Sequence, residues 1–358
     1  MFQNFNQLPS PSLPDKIFYF ATGLGHQSVV VFFVLSGFFV GGSVLRGGTN
    51  FSWKKYAVAR LSRLWMVLLP ALAVTATIDA TIFYYSPSAL AGIFHNDWSS
   101  GPDGAYSSSP STLLGNLVFL QTIFVPVFGS NGPLWSLANE FWYYALFPLC
   151  FYCADLAYGA TTPSSKSYSL KRCIPGIIAC GIFYLMPMQM RWGFVIWLMG
   201  ATIYALTEKQ KRSSTLLSVL GAGALFALSL AFSKFRRDEN DLIGVALGIG
   251  FSAWCYTLVH FRRDKVFAGF FAKAARGLSE MSYSLYLTHF PIVVLLGGTV
   301  FASHRYVPGV LSLLDFLLWL ACTLIFAAGF WWLFEKRTAA VRKFADNFLR
   351  RPILPLAY

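Results

Sequence analysis

The sequence predicts an all-α fold: a polytopic helical membrane bundle of about nine transmembrane helices plus one re-entrant segment. Three observations lead there. The chain of 358 residues is 56% hydrophobic and only 12% charged, about half the charged share of an ordinary soluble protein. Apolar runs of about 18 residues or more recur along it, each long enough to cross a hydrocarbon core of roughly 30 Å. These runs are continuous, whereas a transmembrane β-barrel would alternate lipid-facing and lumen-facing residues.

The runs fall, in order, at about 27–45, 64–86, 113–129, 135–158, 173–190, 192–208, 213–233, 241–260, 282–303 and 311–334. The first carries Gly37 and Gly41, a small-x-x-x-small face suited to close helix packing, and Ser36, able to bond to its own turn or across to a neighbour. The second follows the basic stretch "WKKYAVARLSRLWMVLLP". The third contains Asn116, Gln121 and Pro126 and ends in "GSNGP", so it is read as re-entrant, which is tolerable where it lines a protein-buried cavity. The fourth is "PLWSLANEFWYYALFP". The ninth opens in "SEMSYSLYLTHFP", where Ser279 or Ser282 can cap the helix start and Pro291 bends it. The tenth ends in "WWLFEKR". The longest polar insertions, 87–112 and 159–172, are Ser-, Gly- or Pro-bearing loops. No internal repeat, low-complexity tract or soluble domain stands out.

The net charge is +13, yet the basic residues sit in short loops, as the positive-inside rule requires, and no helix carries the face of a nucleic-acid reader. Nucleic acid is therefore not an expected partner. Residues 46–63, 261–276 and the tail after 334 are basic and should be cytoplasmic. The loop 87–112, with Asp97 and Asp103 and no Lys or Arg, should lie outside. With 113–129 re-entrant, the crossings run from an outside start to a cytoplasmic C-terminus. The expected organisation is an extracytoplasmic segment 1–26, a membrane domain 27–340 and a basic cytoplasmic tail 341–358. The first 26 residues lack the features of a secretory signal. A chain that starts outside without a leading span points to a missing first helix. The six cysteines, including Cys150 and Cys153 in one C-x-x-C, read as buried free thiols, with no second pair at zinc spacing. No metal site is expected.

An ionisable group inside a span costs roughly 2.5–3.5 kcal/mol on insertion scales, so each needs a reason. Glu140 sits one to two turns into its span with Trp135, Ser136 and Asn139 nearby, and Ser136 shares its helix face. It is either a carboxylate satisfied at a helix N-terminus or a group facing a cavity beside the re-entrant segment. Ser282, Tyr286 and His289 follow at i, i+4 and i+7 on one stripe, with Tyr283 about 100° away. They are either structural polar groups or a site. Lys55, Arg60 and Arg63 serve as an interfacial anchor, a dock for a phosphate-bearing cytosolic ligand, or both. His26 falls at the outer interface and reads as loop. The P-loop, H-E-x-x-H and G-x-S-x-G signatures are absent.

Four stretches together, "VVVFFVLSGFFV", "RLSRLW…LLP", "PLWSLANEFWYYALFP" and "SYSLYLTHFP", resemble the integral-membrane acyltransferase 3 family, and "WWLFEKR" with Glu335 fits that family's last-helix ending. The resemblance spans about 17–340. It implies transfer of an acyl group, commonly acetyl, from cytosolic acyl-CoA (acetyl-CoA) as co-substrate, with no bound cofactor. The acceptor it implies is a hydroxyl of a cell-surface or exported glycan or a lipid-linked sugar, at a bacterial inner (plasma) membrane whose lipids surround the protein. Carried over, Arg60 and Arg63 match the family's basic pair and would hold the CoA phosphates. Glu140 matches the carboxylate of W-S-L-x-x-E, with Trp135 beside it. Tyr283, Tyr286 and His289 match S-Y-x-x-Y-L-x-H, and Ser36 lies in the matching F-F-V-L-S-G stretch. Glu140 and His289 are the catalytic candidates; Arg60, Arg63, Ser36, Trp135, Tyr283 and Tyr286 are the substrate-binding ones. The family's first helix, with its Arg and His, has no counterpart here, so the expectation is a start at an internal Met or an inactive truncated homologue. A transporter or flippase of a lipid-linked glycan is the non-enzyme alternative; it would carry repeat halves and need no acyl-CoA.

Overall fold

A computed structural model of the chain describes residues 10–85, 106–158, 167–209, 213–235, 241–261, 269–297 and 309–350. In order, the helices are α1 (Leu13–Thr22), α2 (Gly25–Ser36), α3 (Gly42–Gly47), α4 (Trp53–Tyr85), α5 (Pro110–Leu117), α6 (Leu134–Tyr158), α7 (Ser167–Leu185), α8 (Met188–Lys209), α9 (Leu216–Phe235), α10 (Asp241–His260), α11 (Phe270–Glu280), α12 (Ser282–Leu295), α13 (Val310–Leu333) and α14 (Thr338–Arg350). A π-turn at Gly37–Gly41 joins α2 to α3, and a 3₁₀ turn at Glu335–Arg337 joins α13 to α14. Among the described residues the only β-type pairings are isolated bridges. The fold is the predicted all-α membrane bundle, and helices at Gly25–Gly47, Trp53–Tyr85, Leu216–Lys234, Asp241–His260 and within Val310–Leu349 are long and apolar enough to cross a membrane.

The chain forms two compact units, one of residues 1–15, 50–135 and 267–358, the other of residues 16–49 and 136–266. In the first, α4 packs on α12, and α12 on α13. Their shared core is Ile78 and Ile82, one turn apart on α4, with the consecutive Ile292, Val293 and Val294 of α12 and Trp319 of α13. The helix α4 has 33 residues, about 50 Å at 1.5 Å per residue, and starts at Trp53 instead of near 64. Residues 53–63 contain no helix breaker, so the helix extends back through the basic stretch; hydropathy registers only the part suited to hydrocarbon.

The stretch expected to be re-entrant is the short helix α5 followed by irregular backbone. Ser109 Oγ accepts from Thr112 N at 3.2 Å and Pro110 opens the first turn, a regular helix start. After Leu117 the chain bends, with Phe119 at φ 60° and Thr122 at φ 70°, a region that side chains seldom adopt. Side chains take over the backbone's bonding. Asn116 Nδ2 donates to Thr112 O (2.8 Å) and Pro126 O (3.0 Å), its Oδ1 accepts from Phe128 N (3.1 Å), and Gln121 Nε2 donates to Leu134 O (3.0 Å). The polar residues that set this run apart in the sequence are thus the ones that satisfy its non-helical backbone.

In the second unit, α8 packs against α2, the π-turn and α10, while α9 pairs with α10. Glycines permit the α2–α8 approach. A Cβ on Gly37 would collide with Trp197 O, one on Gly200 with Val34 O, and one on Gly41 with Ala201 Cβ. The predicted small-residue face therefore does pack a neighbouring helix. Beside it, Phe33, Tyr143, Phe194 and Trp197 form an aromatic core, with Phe33–Tyr143 and Tyr143–Phe194 centroids 5.5 and 5.4 Å apart, distances at which edge and tilted ring pairs attract.

Several expectations are corrected. Residues 270–276, read as part of the basic loop 261–276, belong to the amphipathic α11, and residues 167–172 already belong to α7; short polar helices escape a search for apolar runs. His26 lies in the first turn of α2, not in a loop. Neither Ser279 nor Ser282 caps α12: the cap position is Met281, and Ser282 Oγ donates to Ser279 O at 2.9 Å, because α11 ends directly against α12 and supplies a carbonyl there. Among the described cysteines Cys255 is buried but Cys150, Cys180 and Cys322 are exposed; a helix surface facing lipid suits a small apolar thiol as well as a core does. Most of the loop 87–112, with Asp97 and Asp103, lies outside the described residues, as do Lys211, Arg212, Arg262, Arg263 and Lys265.

Candidate functional site

The second unit holds Glu140, which is 4% exposed. Ser36 Oγ donates to Glu140 Oε1 at 2.6 Å, and the Tyr144 hydroxyl, one turn along α6, donates to the same oxygen. Trp197 Nε1 donates to Ser36 Oγ at 3.1 Å. The hydroxyl of Ser36 thus passes the indole's hydrogen bond on to the carboxylate. Ser36, the last residue of α2, bonds across to a neighbouring helix rather than to its own turn. A carboxylate this deep is tolerable because hydroxyl donors replace water. Ser136, on the same face of α6, is 1% exposed. Tyr143, three residues on from Glu140, packs against the Trp197 ring (centroids 6.4 Å apart) and donates its hydroxyl to Met190 O at 2.6 Å.

The first unit holds the remaining candidates. Arg63 stands 4.0 Å from Glu335 Oε1 and 6.0 Å from the Tyr283 ring centroid; its side chain is 54% exposed while that of Glu335 is 8%. Glu335 Oε2 accepts from Ser284 N (2.9 Å) and Ser284 Oγ (2.6 Å). Tyr283 donates its hydroxyl to Leu64 O at 3.2 Å. Arg60 is held differently, its guanidinium 5.7 Å from the Tyr56 ring. Tyr286 donates to Pro133 O at 3.1 Å, and its ring centroid lies 5.8 Å from that of His289. Trp135 is half-buried in the turn entering α6, its N–H bonded to Gly132 O at 3.2 Å.

His289 Nδ1 lies 2.8 Å from Tyr286 O and 3.0 Å from Leu285 O. A carbonyl only accepts, so Nδ1 carries the proton. In the neutral ring Nε2 then keeps the lone pair and is the basic nitrogen. The stripe Ser282–Tyr286–His289 is not the most buried face of α12. That face is Tyr283, Ser284, Leu287 and Thr288, with Ser284 and Thr288 fully buried.

A third group has no counterpart among the residues singled out from the sequence. Asp79, 3% exposed midway along α4, accepts from Ser130 N (2.8 Å), Ser130 Oγ (2.5 Å) and Tyr106 OH (3.3 Å). Gly129 precedes Ser130 at φ 59°, and a Cβ there would meet Asp79 Oδ2; glycine supplies both the left-handed backbone and the room. Asn131 Nδ2 then donates to Thr75 Oγ1 (3.1 Å) and Leu287 O (2.9 Å), tying the turn 129–131 to α4 and α12. Burial, reinforced by the nearby Asp79 carboxylate, raises the Tyr106 phenol above its ordinary pKa, so it stays a neutral donor. The available signal is a lone acid in "VTATIDATIF" at helical spacing from Thr75. Glu335 likewise stands out in the sequence only as part of a helix ending. Among the described residues no group of three His, Cys, Asp or Glu side chains could hold a metal ion.

Fold and site together define a class: a polytopic helical membrane protein with carboxylates, hydroxyls and an imidazole set among its helices. A family model described as an acyltransferase domain, Acyl_transf_3, matches residues 2–336, and the chain belongs to that family. No curated protein and no solved structure matches it. The protein is an acyltransferase of the membrane type.

Proposed function

We propose that the protein moves an acyl group, acetyl first among candidates, from cytosolic acyl-CoA to a hydroxyl of a cell-surface or exported glycan. The observation that carries the reading is the family match over nearly the whole chain. In this reading His289 Nε2 takes the acceptor's O–H proton as the oxygen attacks the thioester carbonyl carbon. The tetrahedral intermediate collapses with cleavage of the C–S bond, and the CoA thiolate takes the proton back from the imidazolium. The tautomer assigned by the two carbonyls supports that role. Such a base contributes typically about 10²–10⁴-fold.

Arg63, half exposed and linked to Glu335 only at 4.0 Å, is suited to the phosphates of CoA, and Arg60 lies one turn away on α4. Guanidinium forks match phosphate oxygens. Tyr283 and Tyr286, hydrogen-bonded to backbone carbonyls, offer rigid aromatic faces for substrate. Glu140, which accepts from Ser36, and Trp135 keep the catalytic and substrate-binding assignments that the family resemblance implies. The test is transfer from radiolabelled acetyl-CoA in membranes containing the protein. Label should enter an alkali-labile ester on a glycan or lipid-linked sugar, and Arg60→Ala with Arg63→Ala should raise the KM for acetyl-CoA. Membranes in which intact protein adds no label to any hydroxyl acceptor would overturn the reading.

A further inference from the structure

We infer that α14 is an interfacial helix that docks on anionic phospholipid. It follows the 24-residue α13, which at about 36 Å already crosses the hydrocarbon core. At Phe334 the backbone leaves the helix (φ −118°, ψ −68°), and the 3₁₀ turn Glu335–Arg337 redirects the chain. Two features fix the level at which α14 then runs. The end of α13 carries Trp331 and Trp332, with Lys336 Nζ 5.4 Å from the Trp331 ring. At its far end Leu349 O accepts from Lys54 Nζ at 2.6 Å, in the first turn of α4 beside the exposed Trp53. Trp and Lys at the ends of two crossing helices mark the boundary between headgroups and hydrocarbon.

The composition of α14 fits that boundary. Val341, Phe344 and Phe348 repeat at i, i+3 and i+7 on one stripe. Phe344 is 73% and Phe348 64% exposed, so the described residues leave the stripe uncovered. Arg342 and Lys343 lie on the opposite face, after Lys336 and Arg337; Asp346 is the one acid between 336 and 350. An apolar stripe with a basic back is the pattern of a helix lying in an interface. Each basic residue near an anionic surface strengthens the attraction about fivefold. A second copy of the chain would bring the same positive charge and repel, which singles out anionic lipid as the occupant.

The experiment uses the full chain in nanodiscs of phosphatidylcholine alone or mixed with phosphatidylglycerol. A photoreactive p-benzoylphenylalanine is placed at position 344, close in shape to the native Phe, and in a second protein at position 343. Irradiation should crosslink position 344 to lipid, position 343 several-fold less, with yield at 344 higher in the mixed discs. Arg342→Glu with Lys343→Glu should remove that dependence. Hydrogen exchange of 338–350, read on the unsubstituted protein, should slow in the mixed discs. Crosslinks from 344 to another copy of the chain, or equal yields and exchange in the two lipids, would overturn the inference.

Discussion

Ser36 shows how much one side chain decides. It links Trp197 to Glu140, and removing its hydroxyl leaves a buried carboxylate short of a donor. Ser36→Ala should therefore destabilise the protein by about 1–3 kcal/mol, measured as a lowered unfolding midpoint in detergent. Asp79 plays the same part for the turn 129–131: Asp79→Ala orphans the Ser130 N–H and should cost a similar amount, while Asp79→Asn, which keeps one accepting oxygen, should cost less. The proposed chemistry is also tested at single residues. His289→Ala should lower kcat for acyl transfer by roughly 10²-fold or more with little change in KM. Arg63→Ala should raise the KM for acyl-CoA about tenfold, the equivalent of losing one charge-assisted hydrogen bond. An unchanged KM would remove Arg63 from the donor site.

Elements depend on where glycine stands. Gly37 and Gly200 sit where α2 and α8 bring backbone against backbone, whereas nothing lies within 4 Å of a Cβ on Gly221 in α9. Gly200→Ala should destabilise by about 1–3 kcal/mol through overpacking. Gly221→Ala should stabilise by about 0.4–1 kcal/mol by restricting the unfolded chain. Thermal unfolding of the two variants side by side checks the contrast. The G-x-x-x-G spacing is legible in the sequence but its partner is not, since the pattern says that a helix approaches closely and not which one. The run 113–129 is likewise legible as exceptional from Asn116, Gln121 and Pro126. Its actual path, with positive φ at Phe119 and Thr122, depends on which carbonyls those side chains reach. On α12 the stripe Ser282, Tyr286 and His289 is legible from spacing, but that the helix buries the adjacent Tyr283, Ser284, Leu287 and Thr288, with Ser284 donating to Glu335, depends on the partner helices.

At the scale of the molecule, the proposed orientation rests on the basic stretches at 46–63 and after 334, which by the positive-inside rule would put the C-terminus in the cytoplasm. A fluorescent protein fused after Tyr358 should then mature and fluoresce in cells, and alkaline phosphatase fused there should stay inactive; the reverse pattern would invert the orientation. By itself the sequence determined that the chain is helical and embedded in a membrane, where its main apolar helices run, and which family its motifs resemble. These properties are local: hydropathy, helical period and motif spacing are read from neighbours along the chain. Only the tertiary structure decided that Glu140 meets Ser36, that Glu335 meets Ser284 and Arg63, and that Asp79 holds Ser130. Those partners lie tens to hundreds of positions apart, and a buried polar group takes whichever donor the packed helices bring within about 3 Å.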